Sequence, residues 1–206
     1  MAAEAALAPV PTRGHWLRRA GLLLGIALAV PLAAQPLGDR ELQVEAAFLV
    51  NFVRYAEWPR QRFDGPDDPY VIGVVGPETA SDTVAAIARA AGPIQGRRVE
   101  VKRVVLEGRP GSAERRAAIR RLRDCHLAFL PGSADTGTRE FLDALQGAQV
   151  LTVGDAPGFV ASGGMIGLVR AGPHIAFEAN PQAIQASGVS LSAKVLKLAR
   201  IRGDRR

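Results

Sequence analysis

The chain is poor in the residues that most often carry chemistry. Its 206 positions hold one cysteine, Cys125, three histidines and only 5% aromatic residues. A single thiol excludes an intramolecular disulfide framework. A metal centre needs several His, Cys or carboxylate ligands at workable spacing. Beyond the first 35 residues only His126 and His174 remain, with no His-x-x-x-His or Cys-x-x-Cys. No metal and no cofactor are therefore expected. A serine nucleophile wants a strained Gly-x-Ser-x-Gly elbow, and none is present. Ser190, Ser192 and Lys194 do not make the Ser-x-x-Lys spacing, and Ile72-Gly73-Val74-Val75-Gly76 lacks the lysine and spacing of a phosphate loop. No enzymatic activity is expected. The scarcity of aromatics also argues against nucleic acid, whose partners interleave them with a basic stripe. The formal charge of +6 is mild. Arg13, Arg18 and Arg19 lie in the leader, and Arg200, Arg202, Arg205 and Arg206 crowd the tail. Long apolar runs are missing too. The longest, Ala20 to Val30, has 11 residues, against the roughly 20 that span a bilayer.

What is present is a globular composition, 48% hydrophobic and 22% charged. The basic stretch Arg13 to Arg19, the apolar run and the small residues Ala33 and Ala34 follow the three-part order of a secretory signal peptide. Residues 1–34 are expected to be that signal, which places the mature protein in the periplasm. Leu32 is an imperfect residue three places before a cut after Ala34. An uncleaved anchor is the alternative, and Arg18-Arg19 leaves the export route open.

The remaining 171 or so residues suffice for one domain. In residues 41–58, Val44, Ala47, Phe48, Asn51, Phe52 and Tyr55 share a helical face, and Trp58-Pro59 ends the helix. Tyr70 to Val75 reads as a buried strand. A helix over Thr83 to Ala91, capped by Ser81 or Asp82, follows. Arg98 to Val105 reads as a strand, Ala113 to Arg123 as a helix with an arginine-rich outer face, and His126 to Leu130 as a strand. Thr138 to Leu145 is helical and Val150 to Val153 extended. Gly164 to Val169 and His174 to Glu178 form a hairpin. Pro181 to Ser187 and Leu191 to Ile201 close the chain as helices. This alternation predicts a single α/β domain over residues 41–201 with three layers: a mainly parallel sheet, an antiparallel edge hairpin, and helices on both faces.

Several side chains are candidates for contact with a partner or ligand. Asp155 follows a parallel strand, at the carboxyl edge where open α/β sheets bind ligands. It serves either as a ligand contact or as an acceptor that holds its loop. Tyr55, Trp58 and Arg60 sit where the first helix ends, and these types are enriched at binding hot spots; Trp58 also reads as a core residue or helix-end anchor. His174 and Glu178 lie on the hairpin, whose edge leaves backbone groups for a partner or second subunit. Asn180 is placed to cap the helix at Pro181, with Glu178 beside it. Neighbours in a strand face opposite sides, so Cys125 and His126 make no nucleophile–base pair. Cys125 reads as a small buried hydrophobe.

Four stretches in order resemble the YfiR-like family of periplasmic regulatory proteins. The first is Val44 to Pro59, with Ala47-Phe48, Asn51-Phe52 and Trp58-Pro59. The second is Cys125-His126 opening a strand. The third is Leu151-Thr152-Val153-Gly154-Asp155 with Phe159 and Gly163-Gly164-Met165-Ile166. The fourth is Phe177-Glu178-Ala179-Asn180, then Gly188 to Ser192 and Leu196 to Ala199. Family members typically carry an arginine before the Phe-Glu pair, where this chain has Ala176. The resemblance implies a regulator that binds and restrains the sensor region of an inner-membrane signalling protein. That partner is a diguanylate cyclase, which controls cyclic-di-GMP and biofilm formation, or else a histidine kinase. A homodimer is left open. The alternative is a periplasmic small-molecule-binding domain that delivers a signal to a sensor kinase or transporter.

Overall fold

The computed structural model describes residues 37–132 and 137–201. The expected signal segment, residues 1–34, lies outside the described residues. The chain opens with a 19-residue helix, α1 (Leu37–Tyr55). Its buried face is Glu45, Ala46, Leu49, Val50, Phe52, Val53, while Val44, Asn51 and Tyr55 are exposed. The face expected from the sequence is therefore rotated. The run is apolar around most of the helix, so periodicity alone left its phase open, and the polar Gln43, Asn51 and Arg54 mark the outside.

A two-residue strand, β1 (Ala56–Glu57), follows, then β2 (Tyr70–Val75), α2 (Glu78–Ala91) and β3 (Val99–Val104). Helix α2 starts three to four residues before Ser81 and Asp82, with Pro77 extended at its N-cap. Ser81 lies inside it and its hydroxyl donates to the Glu78 carbonyl at 2.8 Å. Pro77 both ends the strand and presets the backbone for the helix, so no side-chain cap is used. Helix α3 (Ala113–Arg120) is capped by Ser112, whose Oγ accepts from Arg115 N at 3.2 Å, and its last expected turn is a 3-10 turn, Arg121–Asp124. Arg115 does not face outward. It is buried against Glu140 at 3.1 Å. Then come β4 (Leu127–Leu130), α4 (Thr138–Leu145), β5 (Leu151–Gly154), the hairpin β6 (Ile166–Ala171) and β7 (His174–Ala179), α5 (Pro181–Ala186), β8 (Ser190–Leu191), α6 (Ala193–Leu198) and β9 (Arg200–Ile201).

The main sheet runs β3-β2-β4-β5-β6-β7-β9. The first five strands are parallel; β7 is antiparallel to β6 and β9 runs parallel to β7. One face carries α1 and α2 with residues from α5 and α6, packed on Ile72, Val74, Leu127, Phe129, Leu151 and Val153. The other carries α3 and α4, packed on Val71, Val75, Ala128, Leu130 and Val150. The expected three-layer architecture and antiparallel hairpin are present. The expected final helix is not continuous. It shortens to α6 between two strands, and Leu198 is 76% exposed rather than on the packed face. Strand β9 lies outside the hairpin but pairs with β7 only at Glu178 and Ala179, so His174 to Phe177 keep an outer edge with no strand partner among the described residues.

Candidate functional site

The candidate residues separate to opposite ends of the sheet. Asp155 follows β5 at the carboxyl end of the parallel strands. One Asp155 oxygen, Oδ1, accepts from Gly132 N, just beyond β4, so Asp155 holds this loop while also lining a cleft. Helix α1 crosses above this point and delivers Glu45, which is 6% exposed. The Glu45 carboxyl hydrogen-bonds to Asp155. Burial, then the nearby Asp155 and Glu41 charges, push Glu45 up to about 8. Burial likewise raises Asp155, offset in part by the Gly132 N–H. One turn earlier on α1, Glu41 forms an ion pair with Arg170 of β6.

Glu41, Glu45, Asp155 and Arg170 line a cleft of about 370 Å³ with apolar walls from Leu168, Val169, Ile175 and Pro157. A second hollow of about 460 Å³ shares Glu41, Arg170 and Ile175 and continues past Val44, Phe48 and His174. His174 is thus exposed at the rim of this groove, at the start of β7. Glu178 is further along β7, half-buried and opposite Gly167 of β6 and Arg200 of β9. It does not line the cleft. Asn180 caps α5, accepting from Ala183 N at 3.0 Å, as expected.

Tyr55, Trp58 and Arg60 lie at the amino end of the sheet. Tyr55 and Arg60 are exposed, but Trp58 is buried. Its Nε1 donates to the His126 carbonyl at 3.1 Å, and its ring meets Tyr70 and His126 at 5.5 Å. It is therefore an anchor of the core in this structure. This is the core-anchor role that its place at the helix end allows, and its partners lie 12 and 68 residues away. The His126 cluster was also not foreseen as a site. His126 Nδ1 accepts from Val71 N at 3.1 Å, Phe63 stacks on the ring at 4.7 Å, and the Arg97 guanidinium lies over the Phe63 ring at 3.9 Å from its centroid. Burial, with the charges of Arg62 and Arg97, lowers His126 to about 4. The ring is neutral, with its proton on Nε2, and that buried nitrogen has no hydrogen-bond partner. Cys125 is buried on the other side of the sheet, so the two neighbours do diverge.

Among the described residues, no group of three or more His, Cys, Asp or Glu could hold a metal ion. By architecture the protein is a doubly wound α/β domain closed at one side by an antiparallel hairpin. A conserved domain protein from Vibrio cholerae has a similar crystal structure, with a TM-score of 0.51 and 13% identity over 78% of this chain. This chain spans 59% of that protein's length. No curated protein matches. The chain belongs to the YfiR/HmsC-like family, whose model matches residues 42–200. That family is periplasmic and regulatory rather than enzymatic, and acts in cyclic-di-GMP signalling.

Proposed function

We propose that this protein restrains an inner-membrane diguanylate cyclase by binding its periplasmic sensor region, lowering cyclic-di-GMP and limiting biofilm formation. The family match over residues 42–200 carries this reading. Residues 1–34 deliver the chain to the periplasm, with processing near Ala34. Binding acts by population shift, favouring the inactive state of the membrane partner over the active one. The exposed Tyr55 and Arg60 offer one contact surface, and His174 with the open stretch of β7 offers another. A second copy of the chain competes for that same edge.

The test reads cyclic-di-GMP in cells. Deleting the gene is expected to raise it and the parent gene to restore it. Arg60→Ala or His174→Ala, each first shown to fold as the parent does, is expected to restore it incompletely. If both restore it fully, the contact surface lies elsewhere. If deletion changes nothing, cyclase restraint is the wrong function. The groove beside Glu45 and Asp155 then favours the second reading, a small-molecule-binding domain that reports to a sensor kinase or transporter.

A further inference from the structure

Two carboxyl groups that hydrogen-bond to each other need a proton between them, and a buried carboxylate is tolerated only when a cation or donor compensates it. Glu45 and Asp155 meet under these conditions. The first comes from the third turn of α1, the second from the end of β5. Asp155 accepts from two backbone donors, Gly132 N and its own N–H, and these only partly offset its burial. The cation within reach is Arg170, and its guanidinium is engaged by Glu41. Arg40 and His174 line the adjoining hollow. The remaining walls at this point, Pro157, Leu168, Val169 and Ile175, offer no compensating charge.

We propose that Glu45 and Asp155 form a proton-operated latch. One shared proton fixes the N-terminal half of α1 against the ends of β4 and β5. Losing that proton leaves two carboxylates in contact, with Glu41 as a third negative charge one helical turn away. Repulsion and rehydration then lift this half of α1 and open the cleft between it and β6. The C-terminal half stays down, held by Leu49, Val50, Phe52 and Val53. Burial raises Glu45 to about 8, so the latch is closed at neutral pH and opens in mildly alkaline surroundings. The inference concerns the isolated protein and does not rest on the cyclase reading.

Hydrogen–deuterium exchange of the purified protein from pH 6 to 9.5 tests it, with rates corrected for the intrinsic rise with pH. Backbone amides of residues 42–47 are expected to lose protection by up to about tenfold per pH unit as pH rises toward about 8, and to level off above it, while those of residues 49–53 keep theirs. In Glu45→Gln the amide donates to Asp155 and cannot ionise, so this loss should vanish. A parent without the loss, or a Glu45→Gln variant that retains it, overturns the latch. If Glu45→Gln does not fold, carbon NMR of the parent's glutamate carboxyls decides. A side-chain midpoint near 8 supports the latch, and one in the ordinary range near 4.3 overturns it.

Discussion

Cys125 and His126 are adjacent in sequence and divided by the sheet. The thiol is 1% exposed, among Leu122, Ala128 and other apolar groups of the α3–α4 face. Burial pushes it up to about 11, so at neutral pH it is a protonated, unreactive group filling space. Replacing it by serine keeps the volume nearly constant but adds a stronger polar group to an apolar niche. Cys125→Ser is expected to lose about 1–3 kcal/mol of stability, measured as a lower denaturant midpoint with an unchanged slope. Native protein should resist thiol alkylation until it is unfolded. Rapid alkylation of the folded protein, or a Cys125-linked dimer, would contradict this packing role. The neighbouring His126 ties three segments together. Its ring accepts from β2, its carbonyl accepts from Trp58, and Phe63 covers it. Trp58-Pro59 and Cys125-His126 are two of the stretches that carry the family resemblance, and they meet here.

At the scale of elements, the connection from β5 to β6 shows how a third such stretch is used. The two strands are parallel and joined through residues 155–165 without a helix. Phe159 takes the place of a helix as the apolar plug, fully buried on the α3–α4 face. Its ring lies against Gly154 and Gly164, where any Cβ would overlap it; at Gly154 the nearest ring atom would be 2.5 Å away. Gly164→Ala is expected to cost about 1–3 kcal/mol through overpacking, seen as a lower melting temperature with retained fold. An unchanged melting temperature would mean that Phe159 has another place to go. The sequence made these elements legible where a run was long or a cap was local: β2, β6 and β7, the Ala113 helix and the Asn180 cap were all visible. It hid β1, β8 and β9, because each has two residues and exists only through distant pairing, such as Ala56 with Leu191 and Glu178 with Arg200. It also hid the phase of α1, and with it Glu45, whose place opposite Asp155 depends on a contact across 110 residues. Asp155 itself was legible from its position after a strand.

For the whole molecule, the two ends of the sheet respond to pH in opposite directions. His126 falls from 6.5 to about 4 on folding. The unfolded chain therefore binds more protons between those values, and stability drops as pH falls through that window. Glu45 rises from 4.5 to about 8. Here the folded chain binds more protons, so stability drops as pH rises through its window, and the raised Asp155 adds to that drop from a lower starting point. Each full proton of difference changes stability by about 1.4 kcal/mol per pH unit. Between roughly pH 4.5 and 6.5 the His126 gain and the Glu45 loss oppose each other. Above that range only the loss remains. Thermal melts of the parent are therefore expected to fall gently from pH 4.5 to 6.5, by the Asp155 contribution, and more steeply from 6.5 to 8. Glu45→Gln should separate the two terms. Its melting temperature should rise from pH 4.5 to 6.5, as His126 becomes neutral in the unfolded chain, and then hold nearly level to pH 8. The variant should gain most over the parent at the alkaline end. A parent and variant whose profiles run parallel from pH 4.5 to 8 would show that Glu45 titrates alike in the folded and unfolded chains, and that the carboxyl pair has no part in the alkaline decline.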